Sequence, residues 1–174
     1  NIKHLVTVMG QDAIKKNRYT KQLQNTNTKI ITLSTNHKKA LLKNTGLHSE
    51  IIPWFIDQDV PMQAQQKTVD ILAVGALNKV KNYDDFIRVI TEVKKTISHL
   101  NVVIIGEGNQ RKHIEKQLKI WRLEKTVILL GATERSRVFN YMASAKVLLH
   151  TSKYESFGMV FSEALYVKTN IVSY

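Results

Sequence analysis

Val102-Val103-Ile104-Ile105-Gly106-Glu107-Gly108 runs apolar for four residues and then turns on glycine. An apolar run with no polar alternation, closed by a glycine, predicts a short strand buried on both faces. Apolar runs stand on either side of it, two of them also closed by glycine. Upstream is Ile71-Leu72-Ala73-Val74-Gly75; downstream are Val127-Ile128-Leu129-Leu130-Gly131, Val147-Leu148-Leu149-His150 and Ile171-Val172-Ser173-Tyr174. Helical periodicity fills the gaps. Asn82 to Ser98 carries Phe86, Ile87, Ile90, Val93 and Ile97 on one face, with Asp84 and Asp85 in its first turn. Asn109 to Leu123 places Ile114, Leu118 and Trp121 together, and two more helices are expected over Glu134 to Ala145 and Phe157 to Lys168. Strands alternating with helices predict an α/β fold: a Rossmann-like parallel sheet with helices on both faces. Ligands of such sheets bind at the carboxyl ends of the strands.

The chain before Asp70 is less regular. Leu5-Val6-Thr7-Val8, Lys29-Ile30-Ile31-Thr32-Leu33 and the short Ile51-Ile52-Pro53-Trp54 read as strands. Asp12 to Leu23 and Thr35 to Asn44 read as helices, the second closed by Gly46. Asp57 to Thr68 is polar and glutamine-rich, holds Pro61 and shows no periodicity, as a linker does. The expected organisation is therefore residues 1–57 as the C-terminal part of a first α/β domain, 58–69 as linker, and 70–174 as a second domain truncated at its C-terminus. Both ends are expected to be cut from a longer protein.

Composition narrows the function. The 174 residues are 43% hydrophobic and 23% charged, in the range of globular domains. No apolar run reaches the roughly 20 residues of a membrane span, and no signal-peptide core follows Asn1. The absence of cysteine excludes disulfides and thiolate metal sites. The expected location is cytoplasmic, including a peripheral position on the inner face of a membrane. Lys and Arg total 26 against 14 acids, a net charge of +12, which attracts phosphates or anionic surfaces. No basic-aromatic motif accompanies the charge, so nucleic acid is not an expected partner.

The chemistry is concentrated in three segments. Ser152-Lys153-Tyr154-Glu155-Ser156-Phe157-Gly158-Met159-Val160-Phe161-Ser162-Glu163 spaces two carboxylates across a predicted helix start. The unpaired N–H groups of a helix N-terminus hold phosphate, and ionised carboxylates accept hydrogen bonds from sugar hydroxyls. Glu163 lies five residues beyond Gly158, about 7.5 Å along a helix. Val74-Gly75-Ala76-Leu77-Asn78-Lys79-Val80-Lys81-Asn82 puts a glycine turn and a lysine ahead of a helix, an arrangement able to hold a diphosphate. Gly106-Glu107-Gly108 is a tight turn that lacks the third glycine of a dinucleotide fingerprint.

In this order and spacing the segments resemble the group 1 glycosyl transferases, retaining enzymes of the GT-B fold with an E-x7-E motif. The resemblance covers mainly the C-terminal, donor-binding domain, through Gly75 to Asn82, Ile105 to Gly108, Val127 to Gly131 and Ala145 to Ala164. It implies a nucleotide-sugar-dependent hexosyltransferase that retains configuration and needs neither metal nor cofactor. It implies catalytic roles for Glu155, facing the transferred sugar, and Lys81, on the donor diphosphate. Gly75, Lys81, Gly106, Phe157, Gly158, Met159, Val160 and Glu163 would bind donor, with the Met159 and Val160 amides on the distal phosphate and Glu163 on the ribose. The implied partners are a nucleotide-sugar and a glycan or lipid-linked acceptor, with peripheral contact to an anionic membrane. The chain departs from the family pattern at Ala76, where an arginine is usual, and at Met9, where the histidine of an H-G-x-D stretch is usual. These departures leave a second reading, a non-catalytic nucleotide-sugar-binding module or inactive fragment.

Overall fold

The computed structural model describes residues 4–13, 17–56, 66–155 and 157–173. The chain divides into two compact units, one of residues 1–56 with 155–159 and one of residues 57–154 with 160–174.

The first unit holds a parallel sheet in the order β1 (His4–Thr7), β2 (Thr28–Thr32), β3 (Glu50–Ile51). Val8, Ala13, Ile30, Leu41 and Leu47 form its core. Two expectations fail here. The helix read over Asp12 to Leu23 is a 3-10 turn at Gly10–Ala13 and a separate α1 (Arg18–Gln22), with residues 14–16 outside the described set. Asn17 breaks it: its Oδ1 accepts from the amides of Tyr19 (2.9 Å) and Thr20 (3.2 Å), a capping bond that competes with the helix ladder. The strand expected through Trp54 stops at Ile51, because Pro53 has no N–H to donate. By contrast α2 (Thr35–Thr45) has the expected ends, with Ser34 Oγ capping the His37 amide and Gly46 closing it at φ 75°.

The second unit is a five-stranded parallel sheet, β4 (Val69–Val74), β5 (Val102–Ile105), β6 (Val127–Gly131), β7 (Ala145–His150) and β8 (Asn170–Ser173), in the order β6-β5-β4-β7-β8. The first strand of the unit lies in the middle, and the winding reverses between β4 and β7. That reversal opens a crevice at the carboxyl ends of these two strands. The apolar strands are divided by period two. Ala73, Val102, Ile104 and Val127 pack against α3 (Tyr83–Thr96) and α4 (Arg111–Ile120) through Phe86, Ile87, Ile90, Ile114 and Leu118. Leu72, Val103, Ile105 and Leu148 meet α5 (Arg135–Ser144) and α6 (Met159–Tyr166) through Met142, Val160, Phe161 and Ala164. Each fully buried Val, Leu or Ile among them contributes about 1.5–3 kcal/mol.

The helix ends are tighter than periodicity suggested. α6 begins at Met159 because Gly158 takes φ 73°, and it ends before Lys168, itself left-handed at φ 58°. α3 begins after Asn82, which sits at φ 52°. The 58–69 linker lies outside the described residues up to position 65, and Val69 already belongs to β4. Among the described residues no helix is long and apolar enough to cross a membrane.

Candidate functional site

The loops that leave β4, β5, β6 and β7 are stitched together along one edge of the second unit. The Gly75 amide donates to the Ile105 carbonyl (3.0 Å) and the Gly106 amide to the Gly131 carbonyl (2.9 Å). Farther out, the Leu77 amide donates to the Glu107 carbonyl and the Gln110 amide to the Leu77 carbonyl, both at 2.8 Å. The turn of Lys79–Lys81 is tied to the chain beyond β7 by the Lys153 amide, which donates to the Val80 carbonyl (2.9 Å). Thr151 Oγ1 donates to the carbonyls of Lys81 (3.0 Å) and Asn82 (3.1 Å). The sheet's hydrogen bonding thus continues past the strand ends and fixes the loops that carry the motifs.

Glycine is needed where these loops touch. At Gly106 (φ 148°) a Cβ would stand 1.9 Å from the Gly75 carbonyl oxygen, and at Gly108 (φ 158°) 2.4 Å from that of Leu77. At Gly75 the missing side chain makes room for Lys81, whose Cε lies 3.2 Å and Nζ 3.7 Å from the position a Cβ would take. The Lys81 stem therefore lies over Gly75 and brings an ammonium group to the crevice between β4 and β7. Asn78 caps the turn from below: its Oδ1 accepts from the Lys81 amide (3.1 Å). The buried Tyr83 hydroxyl donates to the Gly75 carbonyl (3.2 Å), and burial raises its phenol far enough that it stays a donor. Lys79 lines a polar cavity of about 390 Å³ with Asn78, Asn82, His113 and Lys153; Lys81 is not among its lining residues.

Glu163 stands on α6 with its side chain 18% exposed. Burial raises its carboxyl above the ordinary range, and the nearby Arg135 guanidinium opposes that rise. Arg135 Nη2 is 3.7 Å from Glu163 Oε1. Val160, one turn back on α6, turns its side chain into the core, so its backbone amide is what it can offer a ligand. Gly75, Lys81, Gly106, Val160 and Glu163 all belong to the second unit. Glu155, Phe157, Gly158 and Met159 are grouped with the first. Glu155 and Phe157 are half-buried, and Gly158 is buried with the left-handed φ that favours glycine. Also in the first unit, Met9 is exposed, and its amide donates to Asp12 Oδ2 (2.9 Å). Ala76 is likewise exposed.

Asn78, Tyr83, Thr151 and Arg135 are not among the residues the motifs single out. Asn78 left a legible signal, an Asn three residues before Lys81 in a capping position. Thr151 and Arg135 act across 70 and 28 residues of sequence respectively, and no local pattern announces them. Among the described residues no group of three or more His, Asp or Glu is placed to hold a metal ion.

The group 1 glycosyl transferase family model matches residues 57–174. Among curated proteins, a component of the human phosphatidylinositol N-acetylglucosaminyltransferase is 29% identical over 150 residues, covering 83% of this chain and 31% of that protein. A Campylobacter jejuni N-acetylgalactosaminyltransferase acting on a diphospho-undecaprenol is 35% identical over 95 residues, covering 55% of this chain and 25% of its own length. The chain thus spans a third or less of these relatives. Among solved structures, TarM of S. aureus superposes with a TM-score of 0.81 at 21% identity, over 99% of this chain and 36% of that one. The pneumococcal O-GlcNAc transferase GtfA, solved with UDP and GlcNAc, gives 0.78 at 18% identity, over 98% and 37%. At these identities the structures speak for the fold.

Proposed function

Because the chain belongs to the group 1 glycosyl transferases, we propose that it serves the transfer of a hexosyl group from a nucleoside-diphosphate sugar to a glycan or lipid-linked acceptor, with retention and without a divalent metal. The observation that carries this reading is the crevice at the winding reversal, with Lys81 folded over Gly75 and the β5 and β6 turns locked beside it. A cation and glycine turns at that place suit a diphosphate. Residues 70–174 act in this reading as the donor-binding domain and residues 1–57 as part of the acceptor side.

Each residue then has a task. Lys81 and the α6 N-terminal amides of Met159 and Val160, freed for close approach by Gly158, stabilise the charge that develops on the departing diphosphate. Gly75 and Gly106 keep the crevice open at backbone level, and Phe157 joins them in binding the donor. Glu155 holds hydroxyls of the transferred sugar and Glu163 those of the ribose. The bond from the anomeric carbon to phosphate oxygen breaks and that to the acceptor oxygen forms on the same face. The acceptor's proton passes to the departing phosphate.

Relatives named for N-acetylhexosamine transfer make UDP-N-acetylhexosamines the first donors to test. The net charge of +12 suits a peripheral position on an anionic membrane, where a lipid-linked acceptor lies. The exposed Ala76 and Met9 favour a second reading, donor binding without turnover. A thermal-shift panel of UDP, GDP, ADP and their sugars tests the site, since a ligand that binds only the folded state raises its stability. No shift with any of them would sink the donor site. Turnover of a nucleotide-sugar by the full-length protein separates the transferase from the binding module.

A further inference from the structure

Three contacts link four side chains of α5 and α6. Arg135 Nη2 faces Glu163 Oε1 at 3.7 Å, and the Arg135 guanidinium lies over the Phe139 ring, 5.4 Å from its centroid. Phe139, only 2% exposed, packs edge-on against Tyr166 at 6.3 Å. Tyr166 shares α6 with Glu163, three residues on, and Phe139 shares α5 with Arg135, four residues on, so both helical pairs lie on common faces. The series runs from Glu163 through Arg135 and Phe139 to Tyr166.

The arrangement runs against the local preference of α5. Arg135 is its first residue, at the positive end of the helix dipole, where a cation is disfavoured by about 0.3–1 kcal/mol. Phe139 and Glu163 supply what the helix end does not, an aromatic face and a carboxylate. The ion pair itself is long and its arginine half exposed, so it adds little to folding stability. Its effect falls on Glu163. Burial works against ionisation of that carboxyl, and Arg135 is the opposing cation. With Arg135 held at Oε1, the carboxylate keeps acceptor capacity for hydroxyls on its remaining lone pairs.

We propose that Arg135 is the positioning residue that holds Glu163 charged and aimed, so that the Arg135–Glu163 pair sets the preference for a donor with an intact ribose. The proposal rests on the reading of Glu163 as the ribose-binding acid and adds a residue from a different helix that acts through it. Arg135 does not itself need to touch the donor.

The test is a ratio of affinities. Whichever of UDP, GDP and ADP shifts the melting temperature most is titrated calorimetrically beside its 2′-deoxy counterpart, with wild type, Arg135→Met, Arg135→Lys and Glu163→Gln. A hydrogen bond to a charged acceptor predicts that wild type prefers the ribonucleotide by about tenfold or more. Glu163→Gln and Arg135→Met are expected to bring that ratio to within about twofold of one, while Arg135→Lys restores part of it and Arg135→Met leaves the melting temperature of the free protein unchanged. A folding defect would weaken both nucleotides alike and leave the ratio intact. A wild-type ratio near one, or one that survives Glu163→Gln, overturns the ribose role of Glu163 and the proposal with it. A ratio abolished by Glu163→Gln but kept in Arg135→Met overturns the role of Arg135 alone.

Discussion

Gly106 lies against Gly75 so closely that a Cβ at position 106 would stand 1.9 Å from the Gly75 carbonyl oxygen. Two adjacent parallel strands bring their terminal glycines face to face, and the contact sets how near the β5 turn can approach the β4 loop. Gly106→Ala must therefore push the loops apart or strain a left-handed φ. The expected cost is about 3 kcal/mol, read as a lower denaturation midpoint at unchanged slope. Gly46→Ala is the control. It strains the backbone alike, but nothing lies within 4 Å of its new methyl, so about 1 kcal/mol is expected.

Lys81→Met keeps the aliphatic stem that lies over Gly75 and removes the ammonium group. Stability is expected to change little, by about 0.5 kcal/mol at most. Nucleoside diphosphate affinity is expected to fall about tenfold or more, the cost of a charge-assisted contact. Calorimetric titration of both proteins checks it, and undiminished affinity would remove Lys81 from the site.

Glu163 has a pH signature. Its folded-state pKa is raised, chiefly by burial, so the fold favours the protonated acid. Its contribution to stability is present below the ordinary carboxylate pKa and is lost as pH rises through the higher folded value. At neutral pH the free protein thus carries an ionised acid that the fold disfavours. Glu163→Gln is expected to be more stable than wild type at pH 7, with the difference shrinking as pH falls through the carboxylate range. Denaturation curves of both proteins from pH 4 to pH 8 measure that difference (about five pH values suffice).

His37 predicts the opposite slope in the first unit. It is 2% exposed, neither ring nitrogen has a hydrogen-bond partner among the described residues, and burial lowers its pKa against a smaller opposing pull from Asp12. The unfolded chain therefore takes up the proton first. Stability is expected to be full above the ordinary histidine value of 6.5 and to decline as pH falls below it. His37→Leu, which removes the titrating group, is expected to flatten that decline. A mutant that loses stability as steeply as wild type on acidification would assign the effect elsewhere.

The repeating apolar runs from Ile71 to Val172 determined the parallel sheet and, for its central strands, the two helical covers; the expected burial on both faces fails in β6 and β8 at the ends of the strand order, where Ile128 and Val172 are exposed. The ordered motifs Gly75 to Asn82, Ile105 to Gly108 and Ala145 to Ala164 likewise carried the resemblance to the family whose model matches residues 57–174. Helix limits were less legible: Gly158, Asn82 and Lys168 take left-handed angles that periodicity does not register. Asn17 divided an expected helix through a side-chain bond that a hydrophobic pattern cannot show.

Strand order was decided by tertiary structure alone. Nothing local places β4 in the middle or β7 at its side, yet that neighbourhood creates the crevice and lets Thr151 reach the Lys81 carbonyl. The same holds for Arg135 and Glu163, an unremarked arginine and a motif acid joined only when α5 and α6 pack on one face of the sheet. Sequence spacing reports what one element does to itself. Contacts between elements depend on how their apolar faces meet, and in this protein those contacts hold the loops together and bring Arg135 beside Glu163.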